Sequence, residues 1–460
     1  GAVATSDYVK KEGQAKRIDK QLMAVIYTKE RHRGKIYLSP DQVTEDLIPD
    51  EEEIWRRIER LCEETGLSVP EEELPKASDK EKPDEVTLGF RVQPYGFTRW
   101  YELFTPRQLL TLLTFTKWVR RAYEEMRKEG HEEGLAKGIT TNLALLSSKM
   151  SDYNSDGCRW IVETEAVAGL LGRQAIPMVW DFAELNPFGE AGSNSVSILK
   201  AMVEAVNSCN DVDAYANVIR TSATELPYPE KFFDAIITDP PYYDNVPYAD
   251  LSDFFYVWLK RSIGHLYPEH FSGELTPKKK EIVADAKRYG SKEKAKQFYE
   301  EMMFQSLQEA WRILKPDSPL VMVYAHKTTA GWSTLVEALR KTGFIVVEAW
   351  PLQTEMAARA ESRREQATLA SSIFLCARKR EKGKVGSYEN EVYPQLEQIV
   401  KERVNTLFSE GITGADLVIA CVGAGLKAFT QFERVEYANG EEVTSEIYLH
   451  IVEGLVLETI

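Results

Sequence analysis

Phe232-Phe233-Asp234-Ala235-Ile236-Ile237-Thr238-Asp239-Pro240-Pro241-Tyr242 carries more information than any other stretch of the chain. Its apolar run, closed by Asp and two prolines, reads as a buried strand ending at residue 238. The flanking sequence alternates in the same sense. Upstream, Pro177-Met178-Val179-Trp180-Asp181-Phe182 is strand-like. A Gly/Ser/Asn loop and a helix over 196–206 follow, and Ala216 to Thr221 predicts a further strand. Downstream comes a helix with Leu251, Phe254, Phe255 and Trp258. A lysine-rich stretch from Lys278 to Lys296 then leads into a helix with Phe298, Met302, Leu307, Ala310 and Leu314. Pro316 ends that helix. Strand 320–324, helix 332–342 and strands 344–350 and 371–377 complete the pattern, the last two as a hairpin. Strands alternating with helices predict an α/β fold with a mostly parallel, doubly wound sheet.

The rest of the chain adds smaller parts. Residues 1–95 are charge-dense and read as an α+β segment, with a short acidic helix from Asp50 to Cys62 and an exposed linker from Pro70 to Asp84. Residues 96–175 read as a helical insertion suited to target recognition. Thr105, Pro106 and Gln108 have the spacing of a capping box with proline at the first helical position. The helix they start should run to about Gly130, break at Gly134 and Gly138, and resume over 139–149. Residues 176–380 form the expected catalytic domain. Residues 381–460 read as a mainly helical extension with a hairpin at Asn439-Gly440. Composition bounds the classes: 460 residues, 43% hydrophobic and 28% charged, describe a globular chain of several domains. The formal charge of −15, from 57 basic and 72 acidic residues, argues against general affinity for nucleic acid but leaves room for a local basic groove. Five scattered cysteines make neither a disulfide framework nor a metal pattern, the histidines fall singly, and no apolar run suits a membrane. The expectation is a cytoplasmic protein without metal.

The Asp-Pro-Pro-Tyr turn carries the chemistry. Open α/β sheets bind ligands at the carboxyl ends of their strands. An exocyclic amine on an aromatic ring is a poor nucleophile, because its lone pair is delocalised. Two acceptors on its N–H groups pull the nitrogen toward tetrahedral geometry and free the lone pair. Asp239 offers a carboxylate and Pro240 a backbone carbonyl, while Pro240 and Pro241 fix φ so that both are placed in advance. Tyr242 offers a face on which an extruded base can stack. Tyr243 and Asn245 follow as candidate substrate contacts.

Further stretches make the chain resemble a known family. These are Asp152-Tyr153-Asn154-Ser155 with Cys158-Arg159-Trp160, Gly172 to Met178, Trp180 to Glu184 with Asn186-Pro187-Phe188, Ala325-His326-Lys327, Trp332 with Leu335, and Ala370-Ser371-Ser372. Together with the turn they resemble the large adenine-specific DNA methylases that carry a zinc-ribbon-type insertion and an N-terminal domain of unknown function. The resemblance runs from about residue 95 to the end. It implies a Rossmann-like methyltransferase sheet, S-adenosylmethionine as cofactor, adenine N6 in DNA as target, and a restriction-modification or phage-defence setting. That family holds its cofactor with an Asp-Pro-Phe-x-Gly-x-Gly type loop, and none precedes residue 150 here. The chain, which opens on Gly1, is therefore expected to be a C-terminal portion, with a further segment or a separate subunit supplying the loop.

Within the chain, Asn186 to Ser193, with Asn186 and Gly189, is one candidate for a cofactor loop, since it precedes a helix whose N-terminus could meet a carboxylate. Thr221-Ser222-Ala223 is another, as contacts to the cofactor's adenine through Ser222 and Ala223. Val422-Gly423-Ala424-Gly425 reads better as part of one buried helix over 415–432. Lys278, Lys279 and Lys280, with the lysines up to Lys296, and Arg359, Arg363 and Arg364 are candidate phosphate contacts. Two other readings stay open. The related Asn-Pro-Pro-Tyr motif serves protein-amide methylation, so RNA or a protein amide is an alternative substrate. The chain could also be a DNA-binding assembly subunit.

Overall fold

The computed structural model describes residues 4–29, 34–43, 49–75, 89–172, 174–189, 193–210, 214–241, 243, 246–324, 329–353, 371–380 and 383–460. It is a mixed α/β protein in two compact units. The first comprises Gly1–Ala216 and Pro247–Glu281, the second Asn217–Val246 and Ile282–Ile460. Helix 248–263, expected in the catalytic segment, thus belongs to the first unit.

In the first unit, α1 (Ser6–Gln14) leads to an antiparallel pair, β1 (Val25–Tyr27) and β2 (Ile36–Leu38), and then to α2 (Glu51–Thr65). The capping box forms as its spacing predicts. Thr105 Oγ1 accepts from the Gln108 amide at 3.3 Å, Gln108 Oε1 accepts from the Thr105 amide at 2.9 Å, and α3 (Pro106–Lys128) follows. The break after it is at Gly130, whose φ of 87° suits glycine. Gly134 and Gly138 do not interrupt the next helix, α4 (Glu133–Tyr153), which runs through both. A mid-helix glycine costs only about 1 kcal/mol, less than the helix regains by packing. The unit continues with the antiparallel strands β3 (Arg159–Ile161) and β4 (Ala166–Ala168), then α5 (Ser195–Ser208) and α6 (Tyr248–Ile263). Phe254 and Trp258 of α6 bury against Trp100 and Phe104, with Phe104 stacked on Phe254 at 5.6 Å and edge-on to Trp258 at 5.4 Å.

The second unit holds the main sheet, in the order β5 (Ile236–Thr238), β6 (Leu320–Tyr324), β8 (Ser371–Lys379), β7 (Phe344–Gln353). β5 and β6 are parallel, and β8 runs antiparallel to both β6 and β7. The expected hairpin is therefore present, with its return strand between β6 and β7. Helices α7 (Ala286–Tyr289), α8 (Lys292–Ile313) and α9 (Thr329–Thr342) fill the connections. After β8 come β9 (Val385–Ser387), α10 (Tyr393–Ser409), α11 (Gly414–Thr430), β10 (Arg434–Glu436) and α12 (Ser445–Thr459), with β9 and β10 parallel. Gly423 and Gly425 lie inside α11 as the buried-helix reading expects. A Cβ on Gly425 would meet Val452 at 2.9 Å and Leu396 at 3.0 Å, so glycine lets α10 and α12 approach.

The sheet is mixed, not mostly parallel as the alternation predicts, because the hairpin strand β8 reverses between β6 and β7, and it corrects the sequence reading in three further places. Residues 177–182 and 216–221 are not strands. The first segment instead makes isolated pairings, Ile176 with Phe90 and Phe182 with Arg159. Residues 216–221 are exposed and pair with no described strand; without a neighbour to take its N–H and C=O groups, a strand-like sequence does not become a strand. β5 spans only three residues and lies at the sheet edge among the described strands, with Ile237 75% exposed, so it is not the buried strand expected. Among the described residues no helix is long and apolar enough to cross a membrane.

Candidate active site

The backbone around β5 is anchored to the segment that joins α8 to β6. The Ile236 amide donates to the Pro319 carbonyl at 3.0 Å, the Phe233 amide to the Ile313 carbonyl at 3.0 Å, and the Lys315 amide to the Phe233 carbonyl at 2.9 Å. Ile236, Ile237 and Thr238 pair with Leu320, Val321 and Met322. Because β5 and β6 are parallel, Asp239 emerges at their shared carboxyl end, where open α/β sheets bind ligands. Its side chain is exposed, and among the described residues no hydrogen bond engages its carboxylate.

The turn beyond it is held by a residue the sequence reading missed. Tyr299, buried on α8, donates its hydroxyl to the Pro241 carbonyl at 2.8 Å. The Tyr243 ring meets Tyr299 edge to face at 5.1 Å, and the Tyr243 carbonyl accepts from the Ala284 amide at 2.8 Å. Tyr243 therefore packs as a support of the turn. The buried row of α8 is Ala295, Tyr299, Met303 and Leu307 at a spacing of four, so the expected face of Phe298 and Met302 is turned by about one residue. A tyrosine in an otherwise apolar row was the available signal, since a buried hydroxyl needs a partner.

The other candidates are dispersed. Ser222 and Ala223 share the second unit with Asp239. The Ser222 hydroxyl bonds the Thr224 hydroxyl at 2.8 Å and its carbonyl accepts from the Glu225 amide at 3.1 Å, closing a local turn. Glu309 ties that turn to α8 by accepting from the Leu226 amide at 2.8 Å, and its own carboxyl is held low chiefly by the Arg312 guanidinium. Asn186 and Gly189 belong to the first unit. There the Asn186 side chain accepts from the Phe188 amide at 3.0 Å, and its carbonyl from the Gly189 amide at 3.0 Å. Lys278, also in the first unit, donates to the fully buried Asp253 carboxylate at 2.6 Å, which likewise accepts from Thr276. Lys278 thus serves that buried charge, while Lys279 and Lys280 are exposed. Tyr242, Asn245, the 190–192 part of the Asn186 loop, Ala325-His326-Lys327, Arg359, Arg363 and Arg364 lie outside the described residues.

The Asp152-Tyr153-Asn154-Ser155 stretch forms a buried knot. Asp152 accepts from the Leu171 amide at 3.0 Å and from Lys149 at 2.8 Å, and the Cys158 thiol donates to the Asp152 carbonyl at 3.3 Å. Among the described residues no group of three or more His, Cys, Asp or Glu could hold a metal ion. No family model, curated protein or solved structure matches this chain.

Proposed function

We propose that the chain carries the amine-binding half of an S-adenosylmethionine-dependent N-methyltransferase acting on adenine N6 in DNA. One observation carries the reading: a carboxylate without a partner among the described residues, followed by two prolines, at the carboxyl end of a parallel strand, with the turn tethered through Tyr299. A turn that merely ended a strand would need neither the consecutive prolines nor a buried hydroxyl on its carbonyl. The reversed strand β8 between β6 and β7 suits the C-terminal half of a methyltransferase-like sheet, an argument by fold analogy.

The chain's own residues act on the amine. Asp239 accepts one N–H of the extruded base and the Pro240 carbonyl the other, which localises the nitrogen lone pair. The Asp239 carboxylate, open to solvent, then takes the proton that the nitrogen sheds. The methyl group comes from the cofactor. Among the described residues no strand pairs with the outer edge of β5, and 216–221, the strand expected to lead into the Ser222 contact, is not a strand. Residues 1–460 alone should therefore bind S-adenosylmethionine weakly or not at all by calorimetry, and addition of a polypeptide bearing a Gly-rich cofactor loop should restore binding and DNA methylation together. Micromolar binding by the chain alone overturns the half-site reading. Methylation of RNA or a protein amide instead of DNA overturns the substrate.

A further inference from the structure

We infer that the first unit carries a binding pocket for an uncharged two-ring molecule bearing a carbonyl oxygen, a reading that goes beyond methyl transfer and does not rest on it. A cavity of about 390 Å³ is lined by Tyr95, Trp180 and Phe182 together with Leu103 and Ile176. Small-molecule sites span roughly 300–1,000 Å³, and an apolar cavity of roughly 150 Å³ already holds one benzene. This volume therefore has room for two fused rings and a short substituent. The lining depends on a close backbone approach. A Cβ on Gly96 would lie 2.2 Å from the Gly13 carbonyl oxygen, so α1 ends directly against the turn that carries Tyr95. Tyr95 and Trp180 meet with their ring planes at 87° and centroids 5.1 Å apart. A flat molecule can stack on one ring of such a corner while it meets the edge of the other.

The charged groups around the cavity decide what the ligand must carry. Two lysines, Lys16 and Lys20, line it together with three acids, Asp19, Glu102 and Asp156. The acids have little left to accept. Glu102 takes the Lys16 ammonium at 2.5 Å, the Thr98 and Arg99 amides at 2.5 and 3.1 Å, and the Thr98 hydroxyl at 3.2 Å. Asp156 accepts from the Lys20 ammonium through Oδ2, and its Oδ1 is closed off from the cavity. Asp19 is exposed and accepts from the Lys20 amide at 2.7 Å. A cationic ligand would thus find one open carboxylate and be repelled by two ammonium groups. An anionic ligand would meet acids that outnumber the lysines. An uncharged ligand escapes both penalties. The lysines, by contrast, keep donors. An ammonium has three N–H groups. Lys16 spends two, on the Gly96 carbonyl at 2.6 Å and on Glu102, and Lys20 spends one, among the described residues. Lys20 also lies 5.5 Å over the Phe182 ring, beside the aromatic lining. The remaining N–H groups call for an acceptor, and a carbonyl oxygen supplies one without adding charge.

Calorimetric titration of the whole chain with indoleacetamide, an uncharged two-ring amide, should give saturable binding. Skatole, which keeps the rings and lacks the carbonyl, should bind roughly tenfold more weakly. So should indoleacetate and tryptamine, which put a negative and a positive charge on the same rings. Trp180 is half exposed, and Trp180→Ala should weaken indoleacetamide binding roughly tenfold through the lost ring face. Lys16→Met should erase the preference for indoleacetamide over skatole. Loss of Lys16 as a mere strut would weaken both ligands equally and leave that preference standing. The proposal is overturned if indoleacetamide gives no saturable heat, or if skatole, indoleacetate or tryptamine binds as tightly. It is overturned equally if Trp180→Ala binds indoleacetamide as wild type does, or if Lys16→Met retains the full preference. None of these measurements involves methyl transfer, so their failure leaves the role of Asp239 untouched.

Discussion

Asp239 is exposed, so removing its side chain tests the chemistry without testing the fold. Asp239→Ala should raise the barrier to methyl transfer by about 2.7–4 kcal/mol, the range for losing one preorganised polar partner, with an unchanged melting temperature. Substantial residual activity in a preparation that methylates DNA would remove the residue from the mechanism. Tyr299 calls for a different experiment, because it acts through Pro241 and is itself buried. Tyr299→Phe keeps the ring and leaves the Pro241 carbonyl without its donor. Stability should drop by about 0.5–1.5 kcal/mol, and kcat should fall while KM changes little. A fall in stability alone, with kcat preserved, would make the hydroxyl structural only. Asp239 and the prolines were legible in the sequence because the chemistry needs those residue types in that order. Tyr299 was not, since its partner is a backbone carbonyl 58 residues away.

Elements with local signals are legible in the sequence. The capping box of α3, the strand over 320–324 and the closing hairpin all form, and the glycines of α11 stay helical. The failures have one physical origin: strand formation depends on neighbours that a local pattern does not contain. Residues 216–221 read as a strand in sequence, yet find no ladder partner among the described residues, and β5 shrinks to three residues with one free edge among the described strands. The glycines of α4 mislead in the other direction, because packing outweighs propensity. That gives a prediction. Gly138 sits exposed within α4, with no atom within 4 Å of where a Cβ would stand. Gly138→Ala should therefore stabilise the protein by about 0.5–1 kcal/mol, seen as a higher melting temperature. A lower one would mean that the helix needs the glycine.

At the scale of the whole molecule, buried thiols set an alkaline limit. Burial pushes Cys158 and Cys421 from 9.0 up to about 11. Between those values the unfolded chain releases protons that the native state retains. Stability therefore falls as pH rises through that window, by about 1.4 kcal/mol per pH unit for each thiol. Denaturant titrations from pH 8 to pH 11 should show this decline, reduced in Cys158→Ser, and a flat profile would refute it. The same burial should leave Cys158 and Cys421 unlabelled by a thiol reagent in the native protein while the exposed Cys209 reacts, as peptide mass analysis would reveal. The division of the chain also bears on its birth at the ribosome. Trp100 and Phe104 are made early, but the rings that cover them, Phe254 and Trp258, emerge only after the strand bearing Asp239, which belongs to the other unit. Synthesis therefore passes through a stage in which a helical domain, complete to Ala216, displays uncovered aromatic rings. A ribosome stalled there would present a nascent chain that chaperones should recognise.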